Sequence, residues 1–157
     1  MKAFPWKCAT CHERAVKQVV LPSYSAKLEH DGRKYEITLN DFTVLQCEKC
    51  AAIVLDDAAE DRLTDGLRST AGLLTPAEIR KHREAFGLTQ KALANLLAIS
   101  ESTLSRWETG AQIQQRSMDR FLRCFFELTD VRRFLGAPET TLISDRERAL
   151  QVSAPPR

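Results

Sequence analysis

The chain has 157 residues, 43% apolar and 28% charged, a balance that supports a folded core and excludes wholesale disorder. No apolar run approaches the ~18 residues of a membrane span, and the N-terminus MKAFPWKC lacks the apolar stretch of a secretory leader. The expected compartment is therefore the cytoplasm, where paired cysteines are metal ligands before they are disulfides. The net charge of +2 is uneven: residues 1–66 hold 9 Lys and Arg against 11 Asp and Glu, and residues 67–157 hold 14 against 10. That asymmetry predicts two modules, with nucleic acid a partner of the second alone.

The first chemical signal is CATCH, with Cys8, Cys11 and His12. Cys-x-x-Cys-His also serves for haem attachment, but that chemistry needs export and a haem-sized cavity. The same spacing recurs in CEKC at Cys47 and Cys50. Two such knuckles can close four thiolates around one tetrahedral ion, which makes Cys8, Cys11, Cys47 and Cys50 the candidate ligands of one structural zinc per chain. An iron site would use the same four thiolates, and zinc is the default. His12 is expected to be an exposed neighbour, since four cysteines already fill a tetrahedron.

The knuckles lie further apart than the about 15–20 residues of the shortest such motifs, so the intervening chain should be structured. It reads as strands: VKQVV (16–20), a hairpin around Asp31-Gly32 with Leu28, Tyr35, Ile37 and Leu39 in alternation, and a third strand FTVLQ (42–46). So small a sheet has little core of its own and needs a metal staple. Residues 56–74 then begin as a helix through Leu55, Ala59 and Leu63. The stretch from Gly66 to Gly72 reads as flexible, which predicts a module at 1–66 and a linker at 67–74.

The helical module is expected over 75–136. In TPAEIRKHREAFG, Thr75 is an N-cap, Pro76 the first helical residue, Glu78 completes a capping box and Gly87 ends the helix. Two short helices follow, capped by Thr89 and Ser100. Ala92, Leu93, Leu96 and Leu97 form the apolar face of the first; Leu104 and Trp107 turn inward from the second, leaving Glu101, Ser102, Ser105 and Arg106 outward. Such a pair is the helix-turn-helix unit, whose second helix enters the major groove of double-stranded DNA. Arg106 is placed to reach a guanine edge, Gln90 and Lys91 to meet phosphate, and the amides near Thr89 and Ser100 to face phosphate oxygens. Residues 117–136 read as an amphipathic helix and a shorter one, with Cys124 expected to be buried beside Phe121 and Phe125. The remainder, 137–157, is Pro-rich at its end and reads as a flexible tail.

LTQKALANLLAISESTLSRWETG (88–110) resembles the Cro/phage-repressor helix-turn-helix in Leu88, Thr89, Gln90, Leu93, Ala94, Ser100, Thr103, Ser105, Arg106, Trp107, Glu108 and Gly110. With the double Cys-x-x-Cys sheet before it, the chain up to about residue 125 resembles the MqsA-type (YgiT-like zinc finger) antitoxins. The resemblance implies a type II antitoxin that binds a ribonuclease-type toxin and represses its own operon. It also implies an ion pair between Arg83 and Glu108. Two departures are Ala98 at the turn position usually held by glycine and Glu101 in the first turn of the recognition helix.

The expected architecture is thus α+β, a zinc-stapled antiparallel sheet followed by an all-α helix-turn-helix domain. DNA contacts are expected from Gln90, Lys91, Ser100, Glu101, Ser102, Ser105 and Arg106. One short recognition helix reads few bases, so a homodimer on a palindromic operator is expected. The other expected partner is a basic ribonuclease docked on the acidic first module, and no membrane partner is expected. The alternative function is a zinc-containing helix-turn-helix regulator without a toxin. No Ser-His-Asp set, paired carboxylate site or open metal position is apparent in the sequence, so no enzymatic activity is expected.

Overall fold

The computed structural model describes residues 4–138, in two compact units divided between Gly72 and Leu73. The first unit is a four-stranded antiparallel sheet in the order β1 (Trp6–Lys7), β2 (Arg14–His30), β3 (Arg33–Cys47) and β4 (Ile53–Val54), followed by helix α1 (Asp57–Ala71). Asp31 and Gly32 form the turn between β2 and β3, with φ of 51° and 68°, the positive pair that a two-residue hairpin demands.

The sheet differs from expectation in its two short strands β1 and β4, which are additional, and in the length of its hairpin. Residues 16–20 and 42–46 are not separate strands; they are the near half of the same hairpin, in which Val16 faces Cys47 and His30 faces Arg33. Pro22 interrupts the ladder without shifting it: Leu21 pairs with Phe42 and Ser23 with Asn40. Pro is tolerated there because it donates nothing and sits on an outer strand, since β1 reaches only from Arg14 to Val16. Opposite it, Asp41 takes φ of 50°, and the inward-facing set changes phase in both strands, from Leu21 to Tyr24 and from Leu39 to Phe42. Arg62 of α1 donates to the carbonyls of Asn40 and Asp41 at 3.0 and 2.7 Å, which satisfies backbone acceptors at this irregular point.

Helix α1 is capped by Asp56, whose side chain accepts from the Ala59 amide, and ends at Gly72 in the left-handed conformation. Ala59 and Leu63 bury with Phe42 and Val44, while Leu21, Tyr24, Ala26, Leu28 and Leu39 pack around them. The expected linker at 67–74 is corrected accordingly: residues 67–71 complete α1, and Leu67 is buried. Gly66 is part of that packing. A Cβ there would lie 2.8 Å from Ile37 Cγ2, so glycine at this position admits the close approach of helix to strand.

The second unit contains α2 (Pro76–Ala85), α3 (Gln90–Leu96), α4 (Glu101–Thr109), α5 (Arg116–Glu127) and α6 (Thr129–Phe134). Thr75 and Glu78 form both halves of the capping box. Ile79, Phe86, Leu93, Leu104, Trp107, Leu122, Phe125 and Phe126 make the core. Arg132, also buried, donates to the carbonyls of Phe125 and Phe126 at 2.8 and 2.7 Å and lies over the Phe86 ring. It thereby caps the end of α5. Cys124 is corrected: it is exposed, since Leu122, Phe125 and Phe126 take the inward side of α5. Residues 139–157, most of the expected tail, lie outside the described residues.

Candidate metal centre and nucleic-acid interface

The two Cys-x-x-Cys segments fold alike. In the first, the His12 amide donates to Cys8 O at 3.0 Å and the Cys8 amide to Glu13 O at 2.8 Å; in the second, Ala51 donates to Cys47 O and Cys47 to Ala52 O, both at 2.9 Å. His12 and Ala51, each directly after the second cysteine, have φ of 64° and 58°. The reversal in each case folds the second thiol back beside the first. Strand pairing supplies the rest, because β2 and β3 run together until Cys47, and β1 holds Cys8 beside them.

The four Sγ atoms converge, all within 4.8 Å of one another, with Cys8 to Cys50 and Cys11 to Cys47 both at 3.6 Å. A tetrahedral ion with metal–sulfur bonds of ~2.3 Å places its ligand sulfurs ~3.8 Å apart. The cluster could hold a metal ion, and the spacing fits one. His12 is exposed and outside the cluster. The thiols influence one another strongly. Amides at Cys11 and Thr10 pull the Cys8 thiol down to about 6, with burial opposing them. At Cys11 the Glu13 amide favours the thiolate, but desolvation and the sulfurs of Cys47, Cys50 and Cys8 push it up to about 12. Cys50 is raised too, its Ala52 amide outweighed by desolvation and by Cys8 and Cys47. Four adjacent thiolates do not form together without a compensating cation.

In the second unit, α3 and α4 are joined through Leu97–Ser100, where Ala98 takes φ of 54°. Thr89 accepts from the Ala92 amide and Ser100 from the Thr103 amide, so both caps are in place. Leu104 and Trp107 turn inward, leaving Glu101, Ser102 and Arg106 exposed, Ser105 half-buried beside them and Lys91 exposed on α3. Ser100 also exchanges hydrogen bonds with the hydroxyls of Ser102 and Thr103 at 2.9 and 2.7 Å.

Arg83 and Glu108 meet as the resemblance implies. Arg83 Nε donates to Oε1 at 2.6 Å and Nη2 to Oε2 at 2.9 Å, while Nη1 reaches Leu88 O at 2.8 Å. The Glu108 side chain is 0% exposed. Burial works against its charge, but the hydrogen bonds from Arg83 and Gln90 prevail and hold the carboxyl below its ordinary value. Arg83 is raised in turn, first by its hydrogen bond to Glu108. The bond from Gln90 Nε2 to Glu108 Oε2, at 2.9 Å, was not foreseen. Nor was a second buried cluster, in which Asp119 accepts from the Leu74 amide, Gln114 Nε2 and Arg123 Nε at 2.7, 3.0 and 2.8 Å. For that cluster the sequence signal was Asp119, an acidic residue among the inward positions of α5.

Residues 77–140 match the family model described as a helix-turn-helix domain. The second unit carries a helix-turn-helix DNA-binding domain. The match spans less than half of the chain, and no curated protein matches it, so the comparisons name the domain and no wider family. Together with the four-cysteine sheet before it, the domain makes the chain a candidate transcriptional regulator. Among the described residues, no helix is long and apolar enough to cross a membrane.

Proposed function

We propose that the chain is a sequence-specific transcriptional repressor with a zinc-stapled N-terminal module, and that it serves as the antitoxin of a toxin–antitoxin pair. The observation that carries the DNA-binding half is the outward face of α4, where Glu101, Ser102 and Arg106 stand exposed on a helix whose other side is locked into the core. Arg106 reads a guanine edge, Ser102, Ser105 and Glu101 tune the neighbouring positions, and Gln90, Lys91 and the capped end at Ser100 meet the backbone. Two copies on a palindrome supply the half-site spacing of about 34 Å or a multiple of it.

Cys8, Cys11, Cys47 and Cys50 would hold zinc, which supplies a closed structural cross-link and no open coordination position. The chain's own contribution is the pair of matched turns that brings the thiols together. The antitoxin half is supported by the order of modules, a double Cys-x-x-Cys sheet before a Cro-type domain. Open strand edges support it as well: β1 and β4 cover only the knuckle end of the hairpin, and among the described residues much of β2 has no outer neighbour. A basic ribonuclease suits the acidic residues Asp57, Glu60, Asp61 and Asp65 along α1.

Two assays test the halves separately. Binding to duplex DNA drawn from the region upstream of the gene should be specific and salt-dependent; equal affinity for unrelated duplexes would refute the repressor half. Co-expression with the product of the adjacent gene should abolish that product's toxicity. An adjacent gene that encodes no toxin leaves the chain a zinc-containing regulator.

A further inference from the structure

Toward its turn, the outer edge of β2 is bare: β1 pairs with it only from Arg14 to Val16, and among the described residues no other strand lies on that side. Asp31 and Gly32 both have positive φ, so His30 and Arg33, which flank that two-residue turn, are a hydrogen-bonded pair of the ladder. The pattern alternates from there. Leu28 and Ala26 direct their amides and carbonyls to β3, whereas Lys27 and Glu29 direct theirs to the bare edge. Helix α1 approaches the sheet at Ile37 and Leu39 of β3, the strand on the far side of the hairpin from that edge.

The charges along this edge are self-matching. Lys27 lies opposite Glu36, and Glu29 opposite Lys34. All four are exposed, on the sheet face away from α1, since Ala26 and Leu28 turn to the helix side. When two β2 edges pair antiparallel about Leu28, Lys27 meets Glu29 of the second copy and Glu29 meets Lys27 of the second copy. Each charge then has only opposite charges beside it. One row across the four strands runs Glu36, Lys27, Glu29, Lys34, and the next runs Lys34, Glu29, Lys27, Glu36. On the helix side, Leu28 meets Leu28 of the second copy as a non-hydrogen-bonded pair, whose side chains stand close, with Tyr35 beyond it on each side.

Other registers lose the match. A two-fold at Lys27 or at Glu29 sets like charges face to face, and one at Ala26 leaves both charges opposite serines, Ser25 and Ser23. An edge guarded by lysine alone repels its own copy in every register. This edge attracts its copy in one.

We propose that the Lys27–Glu29 edge of β2 is a docking surface for the same edge of a second copy of the chain, joined antiparallel about Leu28 into one continuous sheet. The contact spans residues 26–30 and leaves 17–24 of the edge open to another protein. So short a strand buries less than the ~1,200 Å² of a stable interface, which makes the association weak. It is independent of what α4 recognises.

The zinc-loaded full chain is followed by sedimentation equilibrium at up to about 1 mM, without DNA. The parent should self-associate. Lys27→Glu and Glu29→Lys each set like charges opposite one another at both symmetric positions and should weaken self-association about tenfold. An equimolar mixture of the two variants should regain it, because every reversed charge then meets its opposite. Both positions are exposed, so the thermal melts should match that of the parent. A parent that sediments as a monomer, single variants that associate as the parent does, or a mixture no tighter than its components would overturn the proposal. Where a contact between helical units adds to the sedimentation, carbodiimide coupling of isotope-labelled with unlabelled parent chains decides, and it needs no variant. It should join Lys27 of one chain to Glu29 of the other; coupling of these residues confined within single chains would overturn the edge pairing.

Discussion

Glu108 sits where a lone charge would be ruinous, and its surroundings explain why it survives. Removing one member of a buried, bidentate pair leaves the other charged and unsolvated. Glu108→Ala should therefore cost about 3–5 kcal/mol in urea denaturation, and Arg83→Met with Glu108→Leu should cost less than either truncation alone. The carboxyl is held below its ordinary value, so its contribution is present above the unfolded value near ~4.3 and is lost as pH falls through the folded one. The acid limb of a pH–stability curve should flatten in the double variant, and an unchanged limb would remove Glu108 from the account. Cys124 makes a second prediction at this scale. It is exposed, so a thiol reagent should find one fast-reacting cysteine in the metal-loaded chain, absent from Cys124→Ser.

Two elements depend on single backbone positions. Gly66 lets α1 approach β3, and Gly66→Val should destabilise the first unit by about 1–3 kcal/mol through overpacking, read as a fall in its melting temperature. Ala98 is the reverse case. An L-residue at φ of 54° is strained by about 1–2 kcal/mol, so Ala98→Gly should raise the stability of the helical unit by up to ~1 kcal/mol after the cost of a freer unfolded chain. The caps at Thr75, Thr89 and Ser100 were legible in the sequence because each rests on contacts within four residues. The four-cysteine cluster was legible because spacing alone pairs its two knuckles. The long hairpin was not, since its phase change at Pro22 and Asp41 breaks the alternation by which strands are recognised. Residues 67–71 read as linker because small and polar residues between two glycines hide a face whose leucine and arginine bury. Cys124 misled for a related reason: its apolar neighbours are on the far side of the helix. The bond from Gln90 to Glu108 joins residues on different helices, and no local pattern announces it.

At the scale of the whole molecule, the two units have different sources of stability. The helical unit has a core of aromatic and aliphatic side chains, whereas the cluster at the knuckles consists of Cys8, Ala15, Val16, Leu45 and Cys47 with Cys11 and Ala52 against it, which is little without a cross-link. Stripping the proposed zinc with a chelator should unfold the first unit and spare the second, seen in circular dichroism as loss of the strand signal and of the share of helical signal due to α1, with the helical signal of α2 to α6 retained. Acid should act in the same direction, because protons compete with the metal for thiolates. The central claim is that the outward face of α4 reads DNA sequence. It is tested most directly by selecting bound duplexes from a random pool with the full chain and with Arg106→Ala. The parent should enrich an inverted repeat, and the variant should lose about 1–3 kcal/mol of preference at one base pair per half-site while keeping the rest. A parent that enriches no sequence, or a variant that enriches the same one with the same strength, would contradict it.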